Sequence, residues 1–235
     1  MGAGKSLTGE LIYRHSRAVR VAHWVNAVCI TALLVTGVFI LLAHPRLYWG
    51  EDGFFDTRAL IHLGSEEDDS QIGWSRSLHF LGAWILVVNG ILYAAMSLWS
   101  GHLRRDLLPT RHELGLRHLA AEIGSHLRFR PPSGDAARRY NVLQKLAYLI
   151  VIFVLGPLMV LSGLAMSPAL TAAYPELIWL FDGRQSARTV HFLGAAAILI
   201  FIGIHLFEVV IAGFANEMRS IITGWYRVPP ESKPK

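Results

Sequence analysis

Four long apolar stretches divide the sequence, and none of them contains Asp, Glu, Lys or Arg. They are Val21 to His44, Ser77 to Leu103, Leu146 to Pro175, and Thr189 to Phe207, the last with an apolar tail from Val209 to Phe214. A helix needs about 20 apolar residues to cross a bilayer. The pattern predicts an all-α membrane protein, a four-transmembrane-helix bundle. We expect a single membrane domain over residues 1–235, with spans at about 21–44, 77–103, 146–167 and 189–214.

The polar segments between the spans predict smaller elements. Residues Arg111 to Leu127 favour an amphipathic surface helix, followed by a break at Pro131-Pro132-Ser133-Gly134. The loop from Pro45 to Arg76 is long enough to dock a partner. The loop from Ser167 to Arg188 carries an aromatic patch, Tyr174 to Phe181, which we expect at the membrane interface.

Composition narrows the class of protein. Of the 235 residues, 53% are hydrophobic, and Cys29 is the only cysteine. A single cysteine allows no intrachain disulfide and no CxxCH motif for covalent haem attachment. The first apolar run is too long for a signal peptide and lacks a small-residue cleavage site, so we expect it to remain as a span.

Basic residues predict the orientation, because they concentrate on the cytoplasmic side of membrane proteins. The N-terminus, the middle loop and the C-terminus are rich in Lys and Arg, whereas the other two loops carry few. Both termini are therefore predicted to be cytoplasmic, in a multi-pass protein of the bacterial inner membrane. The net charge of +5 fits this topology and contact with anionic lipid. Nothing indicates nucleic-acid binding.

Histidines inside the spans are the strongest chemical feature. His191 and His205 lie fourteen residues apart, which at about 100° per residue returns to within roughly 40° of the same helix face, about 21 Å along the axis. The chain direction puts His23 at the inner depth with His205, and His79 at the outer depth with His191. Ionisable residues within a span indicate function by default. The topology therefore predicts two sites of two imidazoles each.

Two neutral imidazoles are the usual axial ligands of a low-spin b-type haem. Zinc requires three or four ligands, and no third candidate lies at either depth. Gly37, Gly82, Gly90, Gly163, Gly194 and Gly203 offer small surfaces for a flat ring or for helix packing. Arginines near the membrane surfaces could bind haem propionates. These are Arg14, Arg17 and Arg20 inside, and Arg76 and Arg188 outside.

Each histidine also has a simpler interpretation. One near a helix end can snorkel to the surface or bond a backbone carbonyl. His102, at the cytoplasmic end of the second span, is an alternative inner ligand. The remaining histidines are expected to be solvated, near lipid headgroups or in outer loops: His15, His112, His118, His126, His44 and His62.

Several motifs together resemble a known family. They are His23-Trp24, a histidine opening the second span, and the His-x13-His of the fourth, with HPRLYWG (44–50), SGHLRRDLLPTR (100–111), RRYNVLQKLAY (138–148) and GRQSARTVHF (183–192). The set resembles the di-haem cytochrome b subunits of formate dehydrogenase, nickel-iron hydrogenase and thiosulfate reductase, and most closely the thiosulfate-reductase type.

The resemblance implies two haem b groups, with His79 and His191 binding the outer haem and His23 and His205 the inner one. It also implies a quinone near Asn141, in a YNxxQK stretch, although Leu143 replaces a glycine of the formate dehydrogenase subunit. The simpler alternative is that Asn141 caps the third span, and one residue could do both. The implied partner is a periplasmic redox protein, such as a molybdopterin oxidoreductase.

The main functional hypothesis is an electron-transfer subunit between membrane quinone and a periplasmic partner, with no catalytic residues of its own. Glu208 and His102 are candidates for proton exchange with the quinone. One alternative is a self-sufficient di-haem oxidoreductase that couples an external small molecule to quinone. Another is a transporter with histidine proton relays.

Overall fold

The chain is mainly helical in its computed structural model, which describes residues 9–51, 58–63, 72–128, 134 and 140–229. The elements in chain order are β1 (Leu11–Tyr13), α1 (Arg17–Ala43), β2 (Arg46–Leu47), β3 (Ile61–His62), α2 (Ile72–Trp99), α3 (Leu116–Leu127), α4 (Val142–Ile150), α5 (Gly156–Ala165), α6 (Pro168–Ala173), α7 (Glu176–Trp179), α8 (Arg184–Thr223) and β4 (Trp225–Arg227).

Four of the described helical segments are long and apolar enough to cross a membrane, so the predicted all-α membrane fold with four spans is confirmed. They are Arg17–Ala43, Gly73–Trp99, Val142–Ala165 and Arg184–Thr223. Each begins four or five residues before the apolar run that predicted it. The reason is that charged residues in the interfacial region continue the helix into the headgroup layer, where their side chains stay hydrated.

Two of the spans depart from regular α-helix. The third contains a π-helical turn at Val151–Leu155, just before Pro157. Because proline has no backbone N–H, the ladder of hydrogen bonds cannot run regularly through this point. In α8, Gly213 has a φ of 107°, and the helix kinks there. A positive φ is easily adopted only by glycine, and this kink lies where the fourth apolar run ends.

Contacts within the chain define two compact units. Unit 1 comprises Met1–Trp24, Leu92–Ile150 and Ile202–Lys235, and unit 2 comprises Val25–Ile91 and Val151–Phe201. Segments of all four spans contribute to each unit.

In unit 1 the two ends of the described chain are joined. Strand β1 pairs with β4 in antiparallel register. Next to this pair, Arg14 forms an ion pair with Glu217 at 3.5 Å, and its guanidinium lies over the ring of Tyr226 at 4.5 Å. The N- and C-terminal strands therefore meet on one side of the protein, as an even number of spans requires.

The middle loop of unit 1 contains the predicted amphipathic helix, but α3 begins at Leu116 rather than near Arg111. Residues 111–114 form a turn instead, in which Thr110 N–H donates to the Glu113 carboxylate at 2.7 Å. Glu113 also accepts a hydrogen bond from Lys145, which is buried at the start of the third span. Burial raises the pKa of the Glu113 carboxyl, but the hydrogen bonds from Lys145 and Thr110 outweigh burial. The pKa of Glu113 therefore lies below its usual value. Apart from Gly134, the predicted Pro-Gly break lies outside the described residues.

In unit 2 a close backbone contact fixes the beginning of α8. The backbone N–H of Gln185 donates to the Gly50 carbonyl at 3.1 Å, and Gly50 N–H donates to the Ser186 hydroxyl at 2.6 Å. Thr189 then donates to the Tyr48 carbonyl at 2.6 Å. The polypeptide after α1 is thus tied to the helix that carries His191.

A substitution at Gly183, the residue before α8, tests how much the contact with Gly50 contributes to stability. Gly183 has a φ of 118°, and a Cβ atom there would lie 2.3 Å from the Gly50 carbonyl carbon. We predict that Gly183→Ala lowers the free energy of unfolding by roughly 2–3 kcal/mol, from backbone strain and this clash. Thermal unfolding in detergent measures the effect. Gly73→Ala is the control, because no described atom lies within 4 Å of its Cβ position. Equal midpoints for both variants would contradict the prediction.

Candidate functional site

Two of the four histidines in the spans meet in unit 2. His79 of α2 and His191 of α8 face each other with ring centroids 6.3 Å apart and ring planes inclined by 56°. We call them the outer pair, after the predicted orientation. Chain topology and depth predicted this pair, and the structure brings its two members together.

The other two histidines meet in unit 1 with almost the same geometry. The ring centroids of His23, on α1, and His205, on α8, are 6.4 Å apart, and their planes are inclined by 56°. We call them the inner pair. The alternative inner ligand, His102, instead lies 2.7 Å from the Asp106 carboxylate and edge-on to Tyr93. The structure therefore places His23, and not His102, opposite His205.

Both separations suit two ligands on opposite sides of one metal ion. A metal–imidazole bond is about 2 Å long, so two such rings have centroids roughly 6 Å apart. Within the described ranges no cluster of three or more His, Cys, Asp or Glu side chains could hold a metal ion. The donor set at each site is thus two imidazoles, which suits haem iron and does not suit tetrahedral zinc.

The glycines divide into those beside the imidazoles and those in ordinary helix contacts. A Cβ atom on Gly37 would lie 3.6 Å from His79 Cε1, and one on Gly163 would lie 3.5 Å from His191 Cε1. Gly82 packs on Leu33 and Gly194 on Met159. Gly90 and Gly203 have no described atom within 4 Å of their Cβ positions. Larger side chains at Gly37 or Gly163 would displace the outer imidazoles.

Two hydroxyl groups that the sequence analysis missed contact the outer pair. Thr36 Oγ1 lies 2.9 Å from His79 Nδ1, and Ser162 Oγ lies 3.0 Å from His191 Nδ1. Both residues are almost completely buried. A hydroxyl within a span, at the same depth as a histidine, is the only sequence signal that could have identified them.

The arginines expected near haem propionates have differing surroundings. Arg20 donates to the Ile222 carbonyl and Arg188 to the His44 carbonyl. Arg17 and Arg76 are exposed.

His15, next to Arg14 in the sequence, has a pKa lowered to about 4. Burial is the main cause, and the positive charge of Arg14 lowers the pKa further. His15 was expected to be solvated or near lipid headgroups; it is not solvated, because it is buried and stacks on Tyr140.

Asn141 caps the third span, as the simpler of its two interpretations predicts. Asn141 Oδ1 accepts a hydrogen bond from the Gln144 backbone N–H at 2.8 Å, and the Asn141 backbone N–H donates to the Gln144 side-chain oxygen at 3.3 Å. These two hydrogen bonds cap the beginning of α4. Asn141 Nδ2 lies 3.3 Å from His126 Nε2. Glu208 Oε1 lies 3.6 Å from the same nitrogen. His126 was expected to be solvated or near headgroups, but it is partly buried in this cluster, because α3 packs beside α4.

Comparison with known proteins shows the family of the chain. The family model for prokaryotic cytochrome b561 matches residues 14–224. The chain belongs to the prokaryotic cytochrome b561 family. The match covers all four spans and all four paired histidines. The predicted resemblance to cytochrome b membrane subunits is therefore confirmed.

Individual relatives are similar over most of their length. A protein of Azospira oryzae, named a protein-methionine-sulfoxide reductase subunit YedZ1, is 32% identical over 200 residues, which cover 85% of this chain and 91% of the relative. A protein of Cupriavidus necator, named a Ni/Fe-hydrogenase B-type cytochrome subunit, is 26% identical over 240 residues, covering 96% and 90%. The cytochrome YdhU of Escherichia coli is 28% identical over 239 residues, covering 96% and 79%.

Family membership and the four spans establish the broad function. The chain is a multi-pass protein of the bacterial inner membrane that uses b-type haem for electron transfer. The partly buried imidazole pairs are chemically suited to such a group.

Proposed function

We propose that the chain carries electrons between the quinone pool and a periplasmic redox partner, using two b-type haems. One is held by His79 and His191 and the other by His23 and His205. The observation that carries this proposal is the near-identity of the two imidazole pairs, 6.3 and 6.4 Å apart and both inclined by 56°. Haem iron supplies reversible one-electron exchange between its ferric and ferrous states.

The proposed haem ligands lie on three helices of the chain. His191 and His205 both lie on α8, so one helix supplies a ligand to each pair. Their partners come from α2 and α1 respectively. Arg17, Arg20, Arg76 and Arg188 remain the candidates for binding carboxylate groups at the two membrane surfaces.

A haem count in histidine variants tests the ligand assignment. Because each imidazole pair serves one site, His79→Ala and His191→Ala are each predicted to lose one haem per chain, and their double variant is predicted to lose no more. His23→Ala and His205→Ala are predicted to lose the other haem. The measurement is the haem-to-protein ratio of purified full-length protein.

His62→Ala is the matched control, since His62 is exposed in β3, and it is predicted to keep the wild-type ratio. A wild-type haem ratio in any one of the four ligand variants would overturn the assignment of that residue.

We propose that quinone exchanges electrons and protons beside Asn141. Quinone takes up protons along with its electrons, so its site needs groups that transfer protons. His126 Nδ1 is held by the Glu122 carbonyl at 2.8 Å, which leaves Nε2 directed at Asn141 and Glu208. Imidazole and carboxylate side chains are the groups that most often act as general acids and bases, and here they lie 3.6 Å apart.

Removing either proton-transfer group is predicted to slow electron exchange with quinol. Glu208→Gln and His126→Gln are each expected to reduce the rate of haem reduction by a quinol analogue about tenfold or more, since general acid–base groups contribute at least that much. Haem content and reduction by dithionite are expected to stay at wild-type levels, and stopped-flow absorbance measures the rate.

The control variant is Glu122→Gln, which keeps the backbone carbonyl that holds His126. Quinol rates equal to wild type in both test variants would place proton exchange elsewhere in the protein.

The relatives' names support a partner protein over a self-sufficient enzyme. Two of them are named as subunits, one of a reductase and one of a hydrogenase. For this chain we propose a periplasmic redox protein, of the molybdopterin-dependent class that the sequence resemblance implies. Its proposed docking surface lies in unit 2 and includes the exposed Trp49 and Trp179.

A further inference from the structure

The outer pair has a feature that the proposed function does not use, namely a hydroxyl behind each imidazole. Thr36 lies on α1 and Ser162 on α5, so each hydroxyl comes from a different helix than the histidine it contacts. The exposed fraction of Thr36 is 1% and that of Ser162 is 0%. Buried polar groups at this depth are costly unless they are hydrogen-bonded, so these contacts are part of the packed structure.

The direction of each hydrogen bond follows from the number of protons available. Thr36 Oγ1 lies 2.7 Å from the Ala32 carbonyl, and Ser162 Oγ lies 2.6 Å from the Leu158 carbonyl. A carbonyl only accepts, and a hydroxyl has one proton to donate. With that proton given to the carbonyl, the hydroxyl oxygen must accept from the imidazole. His79 and His191 therefore each carry their proton on Nδ1.

This tautomer leaves the Nε2 lone pair of each outer imidazole available as a metal ligand. In metal sites, a hydrogen bond from the far ring nitrogen fixes the ring orientation and increases the basicity of the ligating nitrogen. The inner pair differs, because His23 Nδ1 is buried and has no hydrogen-bond partner in the part of the chain that the structure describes.

We propose that Thr36 and Ser162 are positioning residues for the outer haem. They hold His79 and His191 as Nδ1–H tautomers, fix the ring planes, and make both ligands stronger electron donors. Stronger donors stabilise ferric iron over ferrous iron, so these hydroxyls lower the midpoint potential at the outer site. The inference rests on the proposed function, specifically on the outer pair as ligands of one haem.

Removal of each hydroxyl tests the proposal. Thr36→Val keeps the shape of the side chain, and Ser162→Ala removes a single oxygen atom, so it remains a usable test if Thr36→Val does not assemble. Each variant is expected to raise the midpoint potential of the outer haem and to change the g values of one of two low-spin EPR signals. In the double variant, affinity for the outer haem is expected to fall about 10- to 100-fold.

Thr31→Val is the matched control. Thr31 lies on the same helix and donates to the Ala27 carbonyl at 2.8 Å, the same kind of bond that Thr36 makes. Among the described residues, no histidine forms a hydrogen bond with its oxygen. Its potentials and EPR signals are expected to match wild type. Thr36→Ser and Ser162→Thr retain a hydroxyl and are expected to restore the wild-type potential.

Two results would overturn the inference. One is wild-type potentials and EPR signals in both Thr36→Val and Ser162→Ala. The other is a shift confined to the haem that survives in His79→Ala. Failure of the proposed function is distinguished by the ligand variants, because His79→Ala or His191→Ala would then keep both haems, whatever the hydroxyl variants do.

Discussion

The structure depends on placing two neutral imidazoles opposite each other inside an apolar protein. A histidine in a membrane span loses its hydration, and that loss must be balanced by a ligand or by hydrogen bonds. Here four histidines form two facing pairs, each held by α8 and one other helix. Two glycines and two hydroxyl groups lie directly against the outer pair: Gly37, Gly163, Thr36 and Ser162.

Helix α8 supplies one histidine to each pair, and contacts with other segments hold both of its ends. Its first two turns bond to the backbone of the segment after α1, at Gly50 and Tyr48. Beyond the kink at Gly213, its last turns carry Glu217, which pairs with Arg14 beside the terminal strands. His191 and His205 lie fourteen residues apart on this helix, one in each unit.

Much of this was predictable because bilayer physics imposes strict rules on the sequence. A stretch of about 20 residues without charge leaves few alternatives to a spanning helix. The chain direction then assigns a depth to each histidine, and depth alone selects His23 for His205 and His79 for His191. The helix bounds were placed less well, because charged interfacial residues such as Arg17 and Arg184 still belong to the helices and the fourth helix continues to Thr223.

The features that were missed depend on contacts between distant segments. Buried hydroxyls usually bond a carbonyl one turn earlier in their own helix, so only their depth in the span could have linked Thr36 and Ser162 to the histidines. Burial of His15 requires the pairing of β1 with β4, which are separated by about the whole chain. The contact of His126 with Asn141 depends on how α3 packs on α4. Neither periodicity nor spacing encodes such packing.

The most direct test of the central claim is the number and ligation of haems in the wild-type chain. Purified full-length protein should contain two haem b groups per chain, both giving low-spin EPR signals typical of two histidine ligands. A single haem per chain, or a high-spin signal from a haem with only one histidine ligand, would contradict the assignment of the two imidazole pairs.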